Sequence, residues 1–141
     1  MDISFHFEKN TTLKERNKLR AFIKQLCRKE QTQVGSLQYI FCSDDYLLQI
    51  NRSFLQHDDY TDIITFNLSP GNKDPVCGEI YISIDRVKEN SRLYNATINN
   101  ELHRVIFHGV LHLCGYKDKT VSDQKIMREK ESIYLKRYFR K

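Results

Sequence analysis

Apolar positions recur along this chain with two periods, that of strands and that of helices. "ISFHF" alternates apolar and polar side chains, which predicts a first strand. In "TTLKERNKLRAFIKQLCRKE", Leu13, Leu19, Phe22, Ile23, Leu26 and Cys27 fall at helical spacing. Thr11 or Thr12 is placed to cap that helix, with Glu15 three residues after Thr12. "SLQYIFCS" predicts a second strand, and "DDYLLQINRSFL" a short helix behind a Ser/Asp cap. "TDIITFNL" is β-branched and aromatic, hence a third strand. "SPGNKDPVCG" holds both prolines with Gly71 and Gly78 and reads as a loop. "EIYISI" alternates again as a fourth strand, after which Asp85 opens a helix over "RVKENSRLY". A further helix starts near Thr97, supported by Glu101, and runs to about Cys114, with Gly115 as its left-handed terminator. "SDQKIMREKESIYLKRYF" is the final helix, with Ser122 as its cap. This order predicts an α+β fold (an α/β sandwich), with about four strands in a mixed sheet and about five helices.

At 141 residues the chain is long enough for one domain, expected over 1–141, that buries a core without staples. No stretch is apolar enough to span a membrane, and "MDISFHFEKN" lacks the regions of a secretory signal. Cys27, Cys42, Cys77 and Cys114 show no CxxC spacing and read as reduced thiols of a cytoplasmic protein. The net charge is +5. Residues 117–141 carry nine Lys and Arg against four acids, so the whole surplus lies on the last segment. Such a surplus is either the solvated face of a terminal helix or a footprint for a polyanion. Tyr134 and Tyr138, beside Lys136 and Arg137, fit a core stripe or a stacking surface for single-stranded RNA.

The densest chemistry is "FHGVLHLCGYKDKT". His108 and His112 stand one helical turn apart on one face, with Cβ atoms about 5–6 Å apart. Two imidazoles so placed can meet one cation. Gly115 lets the chain turn back, and Asp118 then returns as a third ligand in the pattern H-x-x-x-H-x-x-G-x-x-D. Three protein ligands at the end of a central helix leave a position for water. The competing reading is a pair of core histidines satisfied by carbonyls or carboxylates. The spacing is that of zinc metalloproteases, H-E-x-x-H-x-x-G-x-x-H. Gly109 stands where those enzymes need a glutamate to activate water, which argues against proteolysis. Cys114 reads as a small buried hydrophobe, and His57 and His103 as exposed or structural.

"HGVLHLCGY" resembles the H-G-x-L-H-L-x-G-Y signature of the bacterial YbeY family of metal-dependent endoribonucleases. "INRSFLQHDDYTDIITF" is similar to that family's N-x-x-[YF]-R-x-x-D-x-x-T-D-[VI]-[LI]-[ST]-F segment through Asn51, Phe54, Asp58, Thr61, Asp62 and Phe66. "GEIYIS" looks like its G-[DE]-I-x-I-[SC] strand. The three matches run in the family's order from about Asn51 to Lys119.

The resemblance implies a single-strand-specific endoribonuclease acting in small-subunit ribosomal RNA 3′ end maturation and late ribosome quality control. It also implies one bound Zn²⁺ and a cytoplasmic location. His108 and His112 are then catalytic through metal-bound water, and His108, His112 and Asp118 hold the ion. The chain departs from the family at two positions. Asp118 stands where a histidine is usual, which lowers the net charge at the ion by one unit and makes bound water less acidic. Lys117 and Lys119 flank it and favour its ionised form. Leu55 stands where the family has an arginine, and Arg52, one helical turn away, is placed to offer a cation instead. Arg52, Lys117, Lys119, Lys136 and Arg137 are the candidate RNA contacts. Asp58, Thr61 and Asp62 read as local turn formers ahead of the third strand. Two alternatives remain: a zincin-like metalloprotease, and a non-catalytic, metal-containing ribosome-assembly factor. Sequence does not choose Zn²⁺ uniquely for such ligands.

Overall fold

A computed structural model describes residues 1–71 and 73–140. Among them nine elements follow in the order β1 (Asp2–Phe7), α1 (Arg16–Lys29), β2 (Val34–Cys42), α2 (Asp44–Leu55), β3 (Ile63–Asn67), β4 (Val76–Ser83), α3 (Ile84–Leu93), α4 (Ile98–Leu113) and α5 (Val121–Tyr138). The strands form one sheet in the order β1-β2-β4-β3. β1, β2 and β4 run parallel, and β3 lies antiparallel to β4 with Ile63 opposite Ile82. Parallel neighbours need a crossover, which α1 supplies between β1 and β2. The four-stranded mixed sheet and five helices are the α+β architecture that the hydrophobic periods predict.

Alternation along the strands divides the core between two faces. Leu37, Tyr39, Ile80 and Ile82 join Leu19, Ile23 and Leu26 of α1 and Val105, Ile106, Phe107 and Val110 of α4 in the main cluster. On the other face, Ile64 meets Leu47 and Cys42, with Phe66 and Tyr81 beside them, beneath α2. α5 packs over α4 through Met127, Tyr134 and Tyr138, all buried. The tyrosines are thus core residues and offer no stacking face. The four cysteines form no disulfide.

The caps at Ser43 and Thr97 stand where the sequence places them: Ser43 Oγ accepts from Tyr46 N and Thr97 Oγ1 from Asn100 N. Other boundaries shift. α1 begins at Arg16, not at the threonines, because Glu15 adopts a left-handed conformation (φ 52°) that no helix continues through. Leu13 keeps its buried place ahead of the helix. β4 begins at Val76, inside the segment read as a loop. Gly78 is there for close approach: a Cβ would lie 2.5 Å from Leu113 Cδ1. α3 is capped by Ser83, whose Oγ accepts from Arg86 N. Asp85 instead accepts from Asp44 N and pairs with Lys9. Thr120, not Ser122, caps α5 by accepting from Asp123 N.

Candidate active site and metal centre

α4 carries both histidines and is fixed by what lies behind it. Gly109 presses against the sheet, where an added Cβ would meet Ile80 Cγ2 at 2.8 Å and Ile63 Cδ1 at 3.1 Å. A side chain at 109 would therefore point at the sheet, away from the two imidazoles. The helix ends at Leu113 with Cys114 as its C-cap, and Gly115 takes φ 105°, the positive angle that the turn requires. The chain then doubles back to bring Asp118 under the helix end.

His108 Nε2 lies 3.3 Å from Asp118 Oδ2, and His112 Nε2 lies 3.8 Å from Asp118 Oδ1. Each outer nitrogen has its own partner. His108 Nδ1 donates to Glu131 Oε2 at 2.6 Å, and His112 Nδ1 donates to the Tyr116 carbonyl at 2.8 Å. With protons held on Nδ1, both Nε2 atoms face the Asp118 carboxylate. Burial disfavours a charged His108, yet Glu131, with Asp62 and Asp118, raises its pKa above the usual imidazole value.

Among the described residues no three His, Cys, Asp or Glu side chains are drawn together into a complete metal-binding group. The donor types nevertheless suit one, and the two separations from Asp118 come near what it needs. A tetrahedral zinc with bonds of about 2.0–2.2 Å sets its N and O ligands roughly 3.3–3.6 Å apart. The His108–Asp118 separation lies in that range, and the His112–Asp118 separation exceeds it by a few tenths of an ångström. Ligand histidines with Nδ1 tied to a carboxylate or carbonyl are the usual outer arrangement of such sites.

Behind His108 lies a buried ionic network that sequence reasoning missed. Arg104 donates to Glu101 at 2.6 and 2.9 Å and to Glu131 at 3.0 Å, and lies 3.7 Å from Asp62. Glu101 and Glu131 are each almost wholly buried. Burial works against ionised Glu131, but His108 and Arg104 outweigh it and lower its pKa. A buried charge needs such partners. The signal in the sequence was faint. Glu131 falls between Met127 and Tyr134 in the apolar stripe of α5, and Glu101, Arg104 and His108 share one face of α4.

A cavity of about 540 Å³ opens beside the histidines. Leu55, Asp59, Thr61, Asp62 and Arg104 line it together with His108, His112 and Asp118. Burial raises the pKa of Asp62, against the pull of Arg104. Asp62 therefore forms part of the cleft wall, beyond the local turn role that its sequence suggests. Thr61 keeps a local role, its hydroxyl donating to the Ile63 carbonyl. Asp58 pairs with Arg52 on the exposed surface, and Arg52 is not among the residues lining the cleft. Lys117 and Lys119 are exposed beside Asp118, while Lys136 and Arg137 are exposed near the far end of α5. His57 is exposed at the cleft, whereas His103 is buried, donating from Nδ1 to the Asn99 carbonyl and stacked on Tyr138. Cys114 is half-buried against the main core.

Fold and cleft together define a small α+β protein with a histidine–carboxylate centre at the end of its central helix. The family model described as Endoribonuclease YbeY matches residues 3–139. An endoribonuclease YbeY of Cytophaga hutchinsonii is 50% identical over 133 residues, covering 93% of this chain and 92% of that protein. That of Flavobacterium psychrophilum is 44% identical over 134 residues, covering 95% and 94%. The solution structure of a Thermotoga maritima protein, 31% identical, superimposes with a TM-score of 0.64 over 99% of this chain and 89% of that one. The chain belongs to the YbeY endoribonuclease family.

Proposed function

We propose that the protein is a zinc-dependent endoribonuclease that cuts single-stranded RNA. Its substrate is the 3′ end of small-subunit ribosomal RNA, and it serves ribosome maturation and late quality control in the cytoplasm. The observation that carries the reading is the convergence of His108 Nε2, His112 Nε2 and the Asp118 carboxylate at the edge of an open cleft. Family membership supplies the substrate class.

His108, His112 and Asp118 would hold one Zn²⁺. When bound, the ion supplies Lewis acidity toward a phosphoryl oxygen and acidifies a coordinated water. The protein's own groups do the rest. Glu131 and the Tyr116 carbonyl keep the Nδ1 protons in place, so neither imidazole can rotate its acceptor nitrogen away. Asp62 in the cleft wall, with its pKa raised by burial, is the group placed to accept a proton from the attacking water at its carboxylate oxygen. Gly109 leaves no room for the glutamate that peptide hydrolysis of the zincin kind requires.

The test is cleavage of a single-stranded ribosomal RNA fragment by the protein with zinc, with excess chelator, and by His112→Ala. Zinc-dependent cutting that chelator and the substitution abolish is expected. Cutting that persists in chelator would overturn the metal assignment. RNA binding without cutting by any of these samples would favour the assembly-factor reading, and chelator-sensitive peptide cleavage the protease.

A further inference from the structure

A strand of RNA brings negative charge to a site already rich in carboxylates. Asp59, Asp62, Asp118 and Glu131 line the two cavities that meet at His108. Their arginines are Arg104 and Arg128. Arg104 is engaged with Glu101, Glu131 and Asp62 and is three-quarters buried or more, so it has little charge to offer a ligand. Across the cleft, the wall carries the apolar Leu55, and Arg52 is held by Asp58 outside it.

Arg128 is different. It is exposed on α5 and makes no ion pair with any described residue. With His108, Asp118, Gln124 and Glu131 it lines a cavity of about 170 Å³ on the α5 side of the centre. The same arginine also lines a shallow groove along the outer face of α5, together with Lys125, Ser132, Lys136 and one carboxylate, Glu129. Lys125, Arg128, Ser132 and Lys136 are spaced by three or four residues, which aligns them on one side of the helix. From Arg128 to Lys136 this track covers about 12 Å at 1.5 Å per residue.

Resting on the ribonuclease reading above, we infer that Arg128 is the phosphate-binding residue that seats the RNA strand beside His108 and Asp118. The strand then continues along α5 past Ser132 to Lys136, with Lys125 one turn before Arg128 on the same side. A guanidinium suits this task because its planar fork can hold two phosphate oxygens at once, which a lysine cannot. Arg128 acts here on substrate placement and takes no part in holding the metal.

The test measures binding of a fluorescent single-stranded RNA oligonucleotide in chelator, over a range of salt concentrations, for the wild type, Arg128→Gln, Arg128→Lys and Lys29→Gln. Lys29 is an exposed cation at the end of α1 and controls for loss of one charge. Arg128→Gln should bind at least fivefold more weakly, with the slope of log affinity against log salt reduced by about 0.7. Arg128→Lys should recover part of the affinity, and Lys29→Gln should match the wild type. Zinc content and thermal midpoint should be unchanged in Arg128→Gln. Wild-type affinity and slope in Arg128→Gln, or an equal loss in Lys29→Gln, would overturn the assignment. Because binding is read without cleavage, a wild type that binds but never cuts refutes the ribonuclease reading alone and leaves Arg128 to be judged on affinity.

Discussion

Glu131 Oε2 accepts the Nδ1 proton of His108 at 2.6 Å, across 23 residues of chain and from a different helix. The pair makes α5 part of the centre that α4 carries. Replacing the carboxylate by an amide, Glu131→Gln, removes the charge while keeping the shape. Zinc affinity should fall by about 10–100-fold, read by competition with a chromophoric chelator. Unchanged affinity would show that the contact serves packing alone.

Asp118 is the proposed third ligand of the centre, its carboxylate lying 3.3 Å from His108 Nε2 and 3.8 Å from His112 Nε2. Asp118→Ala should lose zinc in a chelator challenge that the wild type survives, whereas Asp118→His should retain it. Metal analysis after gel filtration decides the matter. A full zinc complement in Asp118→Ala would remove Asp118 from the ligand set.

Asp62 should be needed for turnover and not for metal. Asp62→Asn is expected to lower kcat by about 10²–10⁴-fold with zinc content intact. A group whose pKa is raised must still lose its proton before it can act as a base. Wild-type activity should therefore climb as pH rises through that raised value, and this limb should vanish in Asp62→Asn. A rising limb of the same shape in the variant would assign it to another group.

The seat of α4 on the sheet should be intolerant of added volume. Gly109→Ala forces a methyl to within 2.8 Å of Ile80 and should cost about 1–3 kcal/mol of stability. Gly35→Ala, where no atom outside the neighbouring residues comes closer than 3.5 Å, should cost far less. Urea unfolding of both variants checks the contrast.

Glu30 joins three segments: it accepts from Tyr116 at 2.5 Å, from Tyr134, and from Lys130 at 3.4 Å. Burial alone would raise its pKa, but these donors outweigh burial and lower it below the ordinary carboxylate value. Its contribution is then fully present above the unfolded-state pKa of about 4.3 and is lost as pH falls toward the lower folded value. Glu30→Ala should destabilise by about 1–3 kcal/mol at neutral pH, with the difference from wild type shrinking in acid. A pH-independent gap would show that packing dominates.

Much of this was legible in the sequence because it is local. His108, His112, Gly115 and Asp118 lie within eleven residues, and helical geometry alone brings two of them together. The sheet was legible from alternation, since each strand half-buries its own side chains. What escaped was set by contacts between distant segments. Gly78 reads as a turn former until Leu113 is seen against it. Glu131 reads as one more charge on a polar helix until α5 is laid over α4. Thr12 and Glu15 form a plausible capping box, yet the backbone at Glu15 turns the other way.

The dependence of His108 on Glu131 also has a bearing on when the protein can be active. Both histidines and Asp118 precede α5 in the chain, so they leave the ribosome before the carboxylate that orients His108. A nascent or clipped polypeptide that stops short of residue 131 carries His108 without the carboxylate that orients it. On the reading proposed above, the centre is therefore complete only once α5 has docked on α4.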